Sequence, residues 1–236
     1  MLEAIKNRVS RRVYTKEPLA RSQVSKIENW ITEINKQSGL TCMLLEDGGK
    51  AFSSFGKSYG MFKNVRSIIV MKGKAGDLNL KEKVGYYGEE LVLRITGLQL
   101  GTCWVGGTFD EKSIPKQADD ELVCVIPVGN VEGKLSLREN LMYKATHGKV
   151  KPISERLSSD VEDLPGWVSA GMEAVLLAPS AVNSQKARFY YEKGTVSADT
   201  VNNYRFDMID LGIAKKHFEI AADGKFEFGN GGVFKK

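Results

Sequence analysis

Apolar positions recur along this chain in two rhythms, and the switches between them mark out the elements. Val24, Ile27, Ile31 and Ile34 fall at spacings of three and four, which predicts an amphipathic helix running from Pro18 until Gln37-Ser38-Gly39 ends it. Thr41 to Glu46 is a short apolar run closed by the turn residues Asp47-Gly48-Gly49, so a strand is expected there. Arg66 to Lys72, rich in β-branched residues, reads as a buried strand, and Leu122 to Gly129 as another. Pro127 is expected to push the far end of that last strand to an edge or a bend, because proline has no N–H to give a ladder. Between the two strands, Tyr87, Leu91, Ile95 and Leu98 form a second helical stripe, stopped at Gly101.

A second segment begins after Lys149-Val150-Lys151-Pro152 and repeats the first in outline. Val168, Met172 and Val175 lie 144 positions after Val24, Glu28 and Ile31, and the same offset pairs Arg12 with Arg156. Arg188 to Lys193 then stands where the first strand would, and Ile209, Ile213, His217 and Ile220 form the stripe of a late helix whose Gly212 resembles Gly88. Helix-strand-helix order also recurs by chance in mixed chains, so the duplication is an expectation about architecture.

Composition narrows the classes. In 236 residues the apolar share is 42% and the charged share 27%, enough for a sizeable core and against disorder. The longest uncharged run, Ile95 to Phe109, contains four glycines and is too short for a membrane span. The N-terminus has neither the signal-peptide nor the transit-peptide pattern, so a cytoplasmic location is expected. Cys42, Cys103 and Cys124 show no C-x-x-C spacing, and with only His147 and His217 no metal site is expected. The net charge of +5 is unevenly placed. Lys6, Arg8, Arg11, Arg12, Lys16 and Arg21 crowd the N-terminus against Glu3 and Glu17 alone, a cluster that suits a phosphate or is simply a solvated face. A nucleic-acid surface is disfavoured, since no aromatics interleave these charges in the way single-strand binders use.

Several common signatures fail. Gly49 to Ser58 ends like a phosphate loop but has Ala51 where glycine is needed, and there is no G-x-G-x-x-G, G-x-S-x-G or H-E-x-x-H. Three other motifs carry chemistry. In Arg8-Val9-Ser10-Arg11-Arg12, an extended backbone would turn Arg8, Ser10 and Arg12 to one side, offering two guanidinium forks and a hydroxyl to one anion. Ala178-Pro179-Ser180-Ala181-Val182-Asn183-Ser184-Gln185 is a loop whose amides and hydroxyls suit the polar edge of a flat ring. Gly97 to Gly107, with Gly101-Thr102-Cys103-Trp104-Val105-Gly106 at its centre, is rich in small residues that let backbone approach a ligand.

Together these motifs resemble the nitroreductase superfamily of FMN-dependent oxidoreductases, through R-x-S-x-R, P-S-x-x-N-x-Q, a G-x-G-T-x-W-type turn and a late basic residue. The order is altered, with the P-S-x-x-N loop in the second segment. This is similar to a branch in which two nitroreductase-like halves share one chain and mimic the usual homodimer. The resemblance implies an α+β fold with mixed central sheets flanked by helices in two pseudo-repeated halves, 1–150 carrying the phosphate motif and 151–236 the ring loop. It implies one FMN per chain in a cleft between the halves of a monomer that acts as a pseudo-dimer, with neither nucleic acid nor membrane as partner.

Carried over residue by residue, the resemblance assigns the phosphate to Arg8, Val9, Ser10 and Arg12, with Arg138 as the late basic ligand and Lys134 as its rival. Pro179, Ser180, Ala181 and Asn183 match the ring loop, Val105 and Gly106 the backbone near flavin N5, and Lys57 to Gly60 the ring's pyrimidine edge. The implied reaction passes hydride from NAD(P)H, a transient reductant, through the flavin to a nitroaromatic, quinone or similar small conjugated acceptor. The alternative is a flavin or phospholigand carrier or sensor without turnover. Other reactive side chains have structural readings: Trp104 as core packing, Cys103 as a small buried apolar group, His217 at a buried helix edge, and Arg11 and Lys16 as solvated charge.

Overall fold

A computed structural model describes residues 1–53, 60–147 and 150–236, with backbone only for 145–147. The chain divides into two compact units. One comprises Asn7–Leu80 and Leu91–Lys144; the other comprises Met1–Lys6, Lys81–Glu90 and Ala145–Lys236. Two short stretches that precede residue 150 are therefore grouped with the later unit.

The first unit is built on four strands, β1 (Met43–Leu45), β2 (Ser67–Lys74), β3 (Gly101–Thr102) and β4 (Asp120–Gly129), in the order β1-β2-β4-β3. Every pair is antiparallel, with Met43 opposite Val70 and Ser67 opposite Val128. Helix α2 (Arg21–Ser38) buries the stripe Val24, Ile27, Ile31 and Ile34, and ends where Gly39 takes a left-handed conformation (φ 74°) that a side chain would resist. Ile68, Val70, Cys103, Val105 and Val125 form the core beneath. Trp104 is half-buried.

Pro127 departs from expectation in an informative way. It lies in an interior strand, opposite Ile68, and β4 continues straight through it to Gly129. Val125 exchanges both backbone bonds with Val105 on the β3 side, and two residues on, Pro127 faces the same way. There the neighbouring chain is Cys103-Trp104, outside the ladder, so no N–H is needed. The Pro127 carbonyl instead accepts from the Tyr14 hydroxyl at 3.3 Å.

The second unit carries β5 (Leu157–Ser159), β6 (Arg188–Glu192), β7 (Thr195–Asp199), β8 (Lys225–Phe226) and β9 (Gly232–Lys235) in the order β5-β6-β7-β9-β8. The β5–β6 pair is parallel and the others antiparallel, so this sheet is mixed, as expected; in the first unit a parallel bridge joins Ser10 to Thr102 of β3. Lys193 and Gly194, both at positive φ (49° and 80°), close the β6–β7 hairpin in the manner of a primed two-residue turn. Helices α5 (Gly166–Leu176) and α6 (Asp207–Ala222) cover a core of Val168, Met172, Phe189, Phe218, Phe226 and Phe234. Helix α1 (Leu2–Asn7) starts the chain, and α3 (Leu80–Gly97) contributes Lys81–Glu90 to this unit.

Helix α6 is more deeply buried than an amphipathic stripe predicts. Lys215, Lys216 and His217 are all inside, and each is met by an acid from α3: Lys215 Nζ donates to Glu82 Oε1 (2.5 Å), Lys216 Nζ to Glu90 Oε2 (3.1 Å), and His217 Nε2 lies 2.9 Å from Glu89 Oε1. The other histidine nitrogen is 3.0 Å from Ala174 O, so both ring nitrogens are occupied and His217 is structural. The helices come this close because Gly85 and Gly212 lie at the crossing. A Cβ at Gly212 would sit 2.1 Å from Glu82 O, and one at Gly85 2.0 Å from Ile209 O. Since the obstructing atoms are backbone, Gly212→Ala is expected to destabilise the protein by about 3 kcal/mol, the upper end for overpacking. Urea denaturation checks this, and a loss below about 0.5 kcal/mol, typical of neutral surface changes, would mean the helices can part.

Candidate functional site

From Ser10 to Tyr14 the backbone is held by its neighbours, with parallel bridges from Ser10 to Thr102 and from Val13 to Lys63. Arg11 N donates to Thr102 O (2.8 Å), Lys63 N to Arg12 O (2.9 Å), and Tyr14 N to Lys63 O (3.1 Å). Two further amides go to one carboxylate, as Arg12 N and Val13 N donate to Glu139 Oε1 at 2.8 and 3.1 Å. Alternation along this segment separates the arginines. Arg11 turns inward, where its Nε donates to Glu139 (3.2 Å), Nη1 to Glu132 O (2.9 Å) and Nη2 to Lys134 O (3.3 Å). It is therefore a buried strut, and its reading as solvated charge is corrected; Lys16 is exposed.

Arg8, Ser10 and Arg12 are half-buried, and Ser10 hydrogen-bonds to Cys103 while both arginines act on it through their charge. Burial pushes the Cys103 thiol up from its ordinary pKa, while the Arg12 and Arg8 guanidiniums and a hydrogen bond from Ser10 pull the other way. All three side chains thus act on one buried sulfur. Among the described residues no carboxylate pairs with the Arg12 guanidinium. Val9, between Arg8 and Ser10, is half-buried.

Glu139 is the residue that the sequence reading passed over. It is 2% exposed and accepts five hydrogen bonds, three on Oε1 and two on Oε2, the latter from Ser136 N (2.9 Å) and Ser136 Oγ (2.8 Å). Ser136 Oγ in turn accepts from Glu139 N at 3.2 Å, which closes a capping box at the start of helix α4 (Leu137–His147). Burial alone would raise the Glu139 pKa, but the amides of Arg12, Ser136 and Val13 and the Ser136 hydroxyl hold it down at about 2. Arg138, one residue before this anchor, is exposed on the first turn of α4, and Lys134 is exposed with its carbonyl on Arg11. The Ser-x-x-Glu spacing was the available signal.

In the second unit the loop Pro179 to Gln185 leaves helix α5 and makes a tight coil. Ala181 N donates to both oxygens of Asp210 (3.0 Å each), Asn183 N to Ser180 O (3.0 Å), and Gln185 N to Ser180 Oγ (3.0 Å). Lys151 N donates to Gln185 Oε1 (2.9 Å) and its Nζ to Ser184 O (3.0 Å). Val182, Asn183 and Gln185 all take positive φ, between 49° and 53°. Pro179, Ser180, Ala181 and Asn183 are half-buried.

Two other expected positions fare differently. Val105 has its N–H on Val125 O and its carbonyl on Val125 N, both at 3.0 Å, so its amide is not available to a ligand; Gly106 follows in a bend. Lys57, Ser58 and Tyr59 lie outside the described residues, and Gly60 is a left-handed turn glycine (φ 59°). At the offset position Arg156 is 2% exposed and donates to Val175 O (3.0 Å) and Ala187 O (3.5 Å), its pKa lowered to about 10 by burial and by Arg188.

Comparison with known proteins agrees with these motifs. Residues 1–222 match the family described as "Putative TM nitroreductase", and the chain belongs to that family. Among solved structures, a "putative nitroreductase" from Thermotoga maritima shares the fold at a TM-score of 0.66 and 24% identity, covering 98% of this chain and 90% of that one. A nitroreductase family protein from Clostridium difficile gives a TM-score of 0.50 at 17% identity, over 70% of this chain and 99% of that one. No curated protein matches the sequence. No helix among the described residues is long and apolar enough to cross a membrane.

Proposed function

We propose that this chain is an FMN-dependent oxidoreductase that passes hydride from NAD(P)H to a small conjugated acceptor such as a nitroaromatic or a quinone. The observation that carries the reading is the contrast between neighbouring arginines. Arg11 is saturated by Glu139 and two carbonyls, whereas Arg12, on the same segment, meets no carboxylate among the described residues and, with Ser10 and Arg8, acts on Cys103. Such a donor set fits a phosphate monoester, which bears up to two negative charges and three acceptor oxygens. Arg8, Ser10 and Arg12 hold it, Val9 spaces the two arginines, and Arg138 adds charge from the capped turn of α4. Pro179, Ser180, Ala181 and Asn183 border the ring, and Gly106 supplies backbone near N5 in place of Val105.

Bound FMN supplies the hydride chemistry, and the protein contributes orientation and fixed charge. The backbone restraints from Ser10 to Tyr14 make the donors of Ser10 and Arg12 effective, since little ordering remains to be done on binding. Burial of Arg156 against carbonyls supports a single phosphate cradle per chain.

The test is direct. Freshly purified protein is expected to show flavin absorbance bands, with FMN approaching one per chain in a monomer, and to bleach with NADPH or NADH and recolour in air. Two flavins per chain, or one shared by two chains, would overturn the single-chain reading. A yellow protein that neither nucleotide bleaches would be a carrier or sensor.

A further inference from the structure

Asp210 lies in the first turn of α6, is 5% exposed, and faces the loop Pro179 to Gln185. Both its oxygens accept from Ala181 N, and Oδ2 is 3.4 Å from Ser184 Oγ. The loop it holds is strained. Val182 is a β-branched residue in the left-handed region (φ 49°, ψ 27°) and yet 83% exposed, so its own packing does not hold it there. Asn183 and Gln185 follow in the same region, at 53° and 49°. Strain of this kind persists only where surrounding bonds over-determine the backbone. Here those bonds come from Ser180, from Lys151 and from the Asp210 carboxylate on its buried helix.

We infer that Asp210 is the positioning residue of the ring-side loop, its carboxylate clamping Ala181 and Ser184 so that Ser180 and Asn183 meet a flavin ring in fixed geometry. This rests on the flavin reading above. Asp210 touches no ligand itself in this scheme; it acts through the loop.

The clamp should respond to pH. Burial, and then Asp207 on the same helix, raise the Asp210 carboxyl to about 7, against the Ala181 amide, Ser184 and Lys186, which lower it. Arg156, with Arg188 beside it, also senses Asp210. Protonation removes one acceptor oxygen, so the clamped loop favours the carboxylate. Ring affinity should therefore rise with pH up to about 7 and level off above it.

Riboflavin is the discriminating probe, because it carries the ring without the phosphate, whose own second pKa is near 6. Dissociation constants for FMN and riboflavin are measured by fluorescence quenching on the full chain between pH 5.5 and 8.5. Asp210→Asn is expected to weaken both ligands equally, by about tenfold, as loss of a charged hydrogen bond implies, and to flatten the riboflavin pH profile. Ala181→Pro deletes the same bond from the loop side, and Ser180, extended at ψ 156°, accepts a following proline. It should give a similar loss, with little further loss in the double variant. If Asp210→Asn does not fold, Ala181→Pro carries the test.

Wild-type riboflavin affinity in the folded variants would overturn the clamp while leaving the flavin reading intact. Failure of the unaltered protein to bind either flavin would instead overturn both.

Discussion

Glu139→Ala is expected to destabilise the protein by about 3–5 kcal/mol, the usual loss when one member of a buried ion pair is removed. Three groups lose their partner at once: the Arg11 guanidinium, 7% exposed, and the amides of Arg12 and Val13. The Ser136 cap at the start of α4 opens as well. Glu139→Gln should be milder, because its amide oxygen can still accept from Arg12 and Val13 while the ion pair is lost.

The pH dependence has a definite sign. With a pKa held near 2, against 4.5 for an ordinary glutamate, Glu139 contributes stability that is fully present above about pH 4.5. That contribution is lost as the pH falls towards 2. Urea denaturation at pH 7 and at pH 3 should therefore show the wild type approaching Glu139→Ala at the lower value. A difference at pH 7 below about 1 kcal/mol would mean that Arg11 finds other partners and that the segment is not held by this carboxylate.

Glu139 also shows where sequence reasoning stops. The helical stripe of α2, the β-branched run of β2 and the punctuation at Gly39 were legible, because each depends on residues within a few positions of one another. The Ser136-Leu137-Arg138-Glu139 capping box is equally local and was open to view. What no local pattern reveals is that the same carboxylate reaches Arg11, Arg12 and Val13, 126 to 128 positions away. Alternation already separates Arg11 from Arg12 in the sequence; that Arg11 is a buried strut and not solvated charge is decided only by this distant partner.

The same limit explains α6 and Pro127. Lys215 and Lys216 read as the solvated side of an amphipathic helix, yet Glu82 and Glu90 neutralise them from 133 and 126 positions away, so burial becomes tolerable. Pro127 reads as a strand breaker because the rule assumes a neighbour along the whole ladder. The neighbour leaves the ladder at Cys103-Trp104, on the side where the N–H would point. The ring loop was legible in composition, but its left-handed residues at Val182 and Gln185 were not, since neither type favours that region.

Arg12→Ala is expected to weaken FMN binding by about 1.5–3 kcal/mol, roughly ten- to a hundredfold, and Arg8→Ala by a comparable amount. The magnitude follows from charge-assisted bonds made by side chains whose backbone is already fixed, so that little ordering offsets the loss. Arg12→Lys should recover only part of the affinity, because an ammonium offers a point charge where the guanidinium offers a planar fork. Arg12→Ala should not alter the stability of the apoprotein as Glu139→Ala does, since the Arg12 contacts that hold the segment are made by its backbone N and O, to Glu139 and Lys63. Riboflavin separates the phosphate contribution from the ring contribution: its affinity should be unchanged in Arg12→Ala. Isothermal titration of the apoprotein with FMN and with riboflavin measures both quantities. Equal losses for the two ligands would move Arg12 from the phosphate to the ring, and unchanged FMN affinity in both alanine variants would remove the N-terminal segment from the site.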